Sequence, residues 1–203
     1  PNNYPTLSSA IKSSRGAFLG FLDITDRLAP EAFFEITTAL NKKPQSKLFY
    51  SDEDIIDSNN DRIDPQFKPD WSPDTFLSTN YLGQLLVIKR TLFLKFANLK
   101  TNTDNPLNYD LLLKITENTN KIVHIPKVLC SRKKRQPPDE NSVNYLSSAI
   151  KRRKIKAKPE KGIVNGTYRI KYSIAQKPLV SIIIPTKEKV DYLKRCLQSI
   201  LDK

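Results

Sequence analysis

Three observations predict an α/β fold built on a mostly parallel sheet. Short apolar runs of the kind that form buried strands recur at residues 18–22, 47–50, 85–88, 122–125 and 179–184. Segments with helical spacing stand between several of them. Carboxylates follow the first two runs, at the rim where open α/β sheets bind ligands. With 203 residues and 38% apolar content, the chain can hold one domain or one and a fraction.

Taken in order, residues 6–15 read as the end of a helix closed near Gly16, and 18–22 as a buried strand of the parallel type. Pro30 sits in a favoured early helical position, with Glu31 in the first turn and Phe33, Ile36, Thr37 and Leu40 on one face. Residues 47–50 form a second strand, which completes a βαβ unit. A proline-rich loop leads to a strand at 85–88 and a short helix at 91–98. A helix over 109–116 precedes a strand at 122–125 that Pro126 stops. His124 alternates with apolar neighbours and reads first as a satisfied structural histidine. The stretch 131–178 is basic and reads as a linker with one docking helix, striped by Val143, Leu146 and Ile150. Residues 179–184 are the clearest buried strand, followed by a helix with Val190, Leu193, Leu197 and Ile200 on one face.

Composition narrows the function classes. None of the five glycines builds a G-x-G-x-x-G or a G-x-x-x-x-G-K-S/T, so dinucleotide and P-loop fingerprints are absent. Cys130 and Cys196 lack metal-ligand spacing and read as reduced thiols of a cytoplasmic protein. No apolar run reaches membrane-spanning length. The net charge of +13 is concentrated: eleven basic residues oppose three acids between Arg132 and Lys161. That segment is a solvated face, or else a peripheral contact with an anionic membrane; nucleic acid is the weaker reading because few aromatics interleave the charges.

Two constellations carry chemistry. Asp23 and Asp26 follow the first strand, and Asp52, Glu53 and Asp54 the second. Gathered at one rim, they would repel unless a cation compensates, and Mg²⁺ or Mn²⁺ on a diphosphate would do so. Helix capping and loop solvation are the plainer alternative. Residues 57–61 open like a calcium loop, but Arg62 and Lys68 stand where glycine and glutamate are needed, which excludes one. The run Phe67-Lys68-Pro69-Asp70-Trp71-Ser72-Pro73 is fixed at two prolines. Its Trp71 could stack on a sugar face with Asp70 accepting from hydroxyls, or could plug the core.

Three blocks, L-D-I-T-D-R-L-A-P-E-A-F at 22–33, Y-S-D-E-D-I-I-D at 50–57 and F-K-P-D-W-S-P-D at 67–74, resemble family-2 glycosyltransferases of the Rossmann-like GT-A fold. The likeness is to the tandem-domain type of O-antigen and polysaccharide biosynthesis. The ending V-S-I-I-I-P-T-K-E-K-V-D-Y-L-K-R-C at 180–196 is similar to the opening of a second such domain. The resemblance implies the carboxyl-terminal part of a GT-A domain over 1–135, a basic linker over 136–178, and the first βα unit of another domain over 179–203. It implies a nucleotide-sugar donor, a glycan acceptor and a divalent cation. Asp23, Asp26, Asp52 and Asp54 would lie at the donor diphosphate, with Asp23 and Asp26 on the metal. Pro185 and Thr186 would belong to the second domain's nucleotide pocket, and Asp70 and Trp71 to the acceptor side. The chain departs from the family at three places. Thr25 replaces the middle Asp of Asp-x-Asp-Asp, Asn108 stands at the general-base position, and Ser131 stands where the family has His. An amide takes no proton, and Asp110, the retained carboxylate, would face away on a helix. The family's amino-terminal nucleotide-binding strands would precede Pro1. Weak or absent transfer is therefore expected, with a non-catalytic domain that positions a glycan or partner as the alternative. The run at 179–184 is expected to fold back on the sheet edge left open.

Overall fold

The spine of the molecule is one long strand whose residues are almost all buried, and the other elements are placed by what pairs with it. The computed structural model describes residues 7–97, 107–134, 137–176 and 178–202. In chain order the elements are α1 (Leu7–Ser13), β1 (Phe18–Gly20), β2 (Arg27–Leu28), α2 (Ala32–Lys42), β3 (Leu48–Ile56), β4 (Arg62–Gln66) and α3 (Pro73–Ser78). They continue with β5 (Leu86–Lys89), α4 (Arg90–Phe96), α5 (Tyr109–Glu117), β6 (Ile122–Arg132), α6 (Ser142–Arg152), β7 (Ala157–Lys161), β8 (Tyr168–Tyr172) and α7 (Val190–Leu201).

The main sheet runs β1-β5-β3-β6-β2, with β4 also on β3. β3 and β6 are parallel, whereas β5 is antiparallel to both β3 and β1. Two antiparallel steps leave β1 and β3 pointing the same way, so β1, β3 and β6 share one direction. The β1–α2–β3 unit expected from sequence therefore exists, but β5 is inserted between its strands, and β1 pairs antiparallel. β4 and β2 close the sheet antiparallel on β3 and β6.

Period-2 alternation divides the core. Leu48, Tyr50, Leu86 and Ile88 face one side, against Phe76, Phe93, Leu112, Ile115 and Leu146. Phe49 and Val87 face the other, with Ile125 and Leu129, under Ala32, Ile36, Ala39 and Leu40 of α2. The contact face of α2 keeps Ile36 and Leu40 of the sequence reading but takes Ala32 and Ala39 in place of Phe33 and Thr37, which are exposed.

Two strands outrun their predicted ends. β3 continues through Asp52, Glu53 and Asp54 to Ile56, so the carboxylates lie inside the strand instead of after it. β6 passes through Pro126 to Arg132. The register steps from Ser51↔Ile125 to Asp52↔Val128, which puts Pro126 in an irregularity where no amide hydrogen is required. Asp57, set aside as a calcium ligand, instead accepts from the amides of Asn59 and Asp61 and turns β3 into β4.

The chain divides into two units, Pro1–Ser173 and Ile174–Lys203. The first extends past residue 135, because α6 lies against α5 and joins the same core, and the β7–β8 hairpin adds Tyr168 and Ile170 to it. In the second, α7 forms as expected. Residues 179–184 do not form the expected strand: the segment has no ladder partner, and Leu179, Val180 and Ile183 are exposed. An apolar run without a ladder partner has no sheet to complete its backbone hydrogen bonds.

Candidate functional site

Asp52, Glu53 and Asp54 are only 3%, 5% and 4% exposed, and each finds its own compensation. Asp52 accepts from the Lys68 amide at 2.8 Å and meets His124 Nε2 at 2.7 Å. Asp54 pairs with Arg62 Nε at 2.6 Å. Glu53 lies between two cations, Lys68 Nζ at 3.2 Å and Arg132 Nη1 at 3.3 Å, and also accepts from the Gln84 amide at 3.2 Å. Burial raises its carboxyl pKa, but Lys68 and Arg132 outweigh that and hold it below the usual range. β-Irregularities around Asp52 and Glu53 break the strict alternation and let neighbouring carboxylates find different partners.

The first carboxylate pair is split. Asp23 is exposed, and its Oδ1 accepts from the Thr25 amide at 2.9 Å and the Thr25 hydroxyl at 2.7 Å, bonds that lower its pKa. Asp26 turns inward, 4.0 Å from Arg132 Nε. Among the described residues neither Asp26 Oδ2 nor Arg132 Nε has a hydrogen-bond partner, though both atoms are buried. Burial pushes the Asp26 carboxyl up, against the pull of Arg132.

Glu53, Lys68 and Arg132 stand on the floor of a cleft of about 1010 Å³, walled by Phe67, Tyr81, Tyr109 and Tyr168. Gly83 makes this close approach possible at φ +77°, because a Cβ there would lie 2.1 Å from Lys68 Nζ and 2.2 Å from Glu53 Oε2. The proline-bounded loop contributes Phe67, Lys68 and Pro69 to the cleft. Its next two residues turn elsewhere. Asp70, 97% exposed, reaches His124 Nδ1 at 3.3 Å, and Trp71 packs on Phe76 and Tyr81. The Tyr50 hydroxyl donates to the Pro69 carbonyl at 2.6 Å, and its ring stacks on His124, which fixes the loop to β3 and β6.

Other predicted positions have local work. Asn108 caps α5 by accepting from the Leu111 amide at 2.9 Å. Asp110 is tied to Lys114 at 2.5 Å and lies 3.8 Å from Arg152. Ser131 is buried in the β2–β6 ladder opposite Arg27. Pro185 and Thr186 line a separate pocket of about 300 Å³ within the second unit. Sequence reasoning missed Lys68, Arg132 and the role of Glu53. Lys68 was legible as a charged residue between aromatic and proline, but Arg132 was hidden in a basic run.

The carboxylates expected to hold a divalent cation are engaged by other groups. No cluster of three His, Cys, Asp or Glu side chains among them is placed to hold one. Asp23 is engaged with Thr25, and a guanidinium already faces Asp26.

No protein-family model matches the chain. It is 33% identical over 198 residues to the O-antigen biosynthesis protein RfbC of Myxococcus xanthus, an overlap of 92% of this chain and 16% of that protein. It is 31% identical over 210 residues to the uncharacterized protein y4gI of Sinorhizobium fredii (strain NBRC 101917 / NGR234), covering 97% of this chain and 23% of the relative. The chain thus spans less than a quarter of the length of these relatives. Among solved structures, S. aureus TarS 1–349 in complex with UDP-GlcNAc superposes with a TM-score of 0.52 at 16% identity, over 72% of this chain and 46% of that one. At that identity the likeness shows the fold, an α/β domain of the GT-A type.

Proposed function

From a chain that carries the GT-A glycosyltransferase fold and is related to an O-antigen biosynthesis protein, we propose a role in sugar transfer from a nucleotide-sugar to a surface-polysaccharide acceptor. The observation that carries this reading is the cleft, with two cations on its floor and aromatic rings along its walls. Arg132 and Lys68 suit a diphosphate, and rings such as Tyr81 and Tyr168 suit sugar faces. The TarS structure holds UDP-GlcNAc, which makes that nucleotide-sugar the first donor to test.

Transfer by this chain itself is weak or absent. An acceptor hydroxyl must lose its proton as it attacks the anomeric carbon, and the base position holds Asn108, whose side-chain oxygen is occupied as a helix cap. Asp110 is held by Lys114. These facts also support the non-catalytic reading, a domain that positions a glycan for an active neighbour. Following UDP-GlcNAc turnover alongside donor binding separates the two. Binding with slow turnover supports a weakened enzyme, binding without turnover supports a positioning domain, and no binding would remove the donor reading.

The same proposal takes 179–203, in which helix α7 is formed, as the opening of a second GT-A domain. A membrane contact is favoured by the hairpin: exposed Ile163 and Val164 stand at its tip, flanked by exposed Lys158, Lys161 and Arg169. An apolar tip within a basic collar suits an anionic bilayer surface. Among the described residues no helix is long and apolar enough to cross a membrane.

A further inference from the structure

We propose that the cleft binds the diphosphate of its ligand directly on two fixed cations, Arg132 and Lys68, with no divalent metal between them. The inference deepens the donor reading and rests on it for the identity of the ligand. Arg132 is 7% exposed and lines the cleft, and among the described residues its buried Nε makes no hydrogen bond, the Asp26 carboxylate standing off at 4.0 Å. A buried donor without a partner is costly, and an oxygen from a ligand would satisfy it.

Glu53 is shared by both cations, and a guanidinium and an ammonium together carry more N–H donors than one carboxylate can accept. A planar guanidinium also matches the paired oxygens of a phosphate. A metal on Asp26 would instead meet Arg132, whose Nε is 4.0 Å from the carboxylate. Two like charges so close in a partly dry site repel strongly. Thr25, bound to Asp23, supplies no further carboxylate.

The test uses inorganic pyrophosphate titrated calorimetrically into the full chain in EDTA, and Mn²⁺ alone followed by electron paramagnetic resonance. Pyrophosphate should bind in EDTA. Arg132→Gln should weaken it by about tenfold or more, whereas exposed Lys12→Gln should change it by less than about twofold. Arg132→Lys keeps the charge without the planar fork and should fall between them, so it decides the matter if the glutamine variant does not fold. Mn²⁺ alone should not be taken up. Absence of pyrophosphate binding in EDTA, equal losses in the Arg132 and Lys12 variants, or Mn²⁺ uptake abolished by Asp26→Asn would each overturn the proposal. UDP-GlcNAc titrated in parallel separates it from the donor reading. Pyrophosphate binding without UDP-GlcNAc binding removes the donor reading alone. UDP-GlcNAc binding only with Mn²⁺ removes the metal-free site alone.

Discussion

Glu53, Lys68 and Arg132 form the most consequential contacts in the chain, because three charged side chains are buried where each depends on the others. Truncating one member of such a set leaves an uncompensated charge. Lys68→Met is expected to cost about 3 kcal/mol in urea unfolding; a loss below about 1 kcal/mol would mean that Arg132 alone satisfies Glu53. Gly83→Ala should destabilise by about 2 kcal/mol, since its Cβ would displace Lys68 from a residue already at positive φ. The two buried acids have opposite pH signatures. Glu53 has a lowered folded pKa, so its stabilisation is present above the ordinary glutamate range and lost as pH falls through the lowered value. Asp26 has a raised folded pKa, so its contribution is present below the ordinary aspartate range and lost as pH rises through the raised value. Urea midpoints from about pH 3 to about pH 8 should therefore lose acid-side slope in Glu53→Gln. In Asp26→Asn they should lose the opposing slope on the higher-pH side.

At the scale of elements, helix α5 begins at Asn108, the residue that the proposed function puts at the general-base position. Asn108 accepts from Leu111, and aspartate caps helices as well as asparagine does. Asn108→Asp should hold stability within about 0.5 kcal/mol, while Asn108→Ala should lose about 1 kcal/mol by thermal or urea unfolding. Transfer gained by the aspartate variant would then report chemistry at an intact helix start. No transfer by the aspartate variant would favour the positioning role. The α5–α6 contact is held by Arg152, which donates to Glu117 at 2.7 and 2.9 Å. Part of the basic run read as a linker is thereby spent on packing.

For the molecule as a whole, a net charge of +13 meets an exposed apolar hairpin tip. Sedimentation with phosphatidylserine-containing vesicles should show binding that weakens as salt screens the collar. Ile163→Ser should reduce it further at every salt concentration. Binding that ignores salt, or that survives with Ile163 and Val164 both replaced, would remove the hairpin from the membrane reading.

The sequence by itself determined the α/β class, the strands β1, β3, β5 and β6, most of the helices, and the blocks that carry the family likeness. Those features are written in local periodicity, helix spacing and short motifs, which a single segment can express. It placed Trp71 and Asp70 beside a site but did not reveal that Trp71 packs inward on Phe76. Nor did it reveal that β3 runs on through its carboxylates, because a buried acid is tolerable only when its partners arrive from elsewhere. Tertiary structure supplied them. Lys68 comes from 15 residues away and Arg132 from 79, brought to Glu53 by the loop after β4 and by the parallel register of β6. Local pattern does not encode such distant pairing; sheet register does. The same reason separates Asp26 from Asp23: two residues of one motif differ in role because only one of them turns toward Arg132.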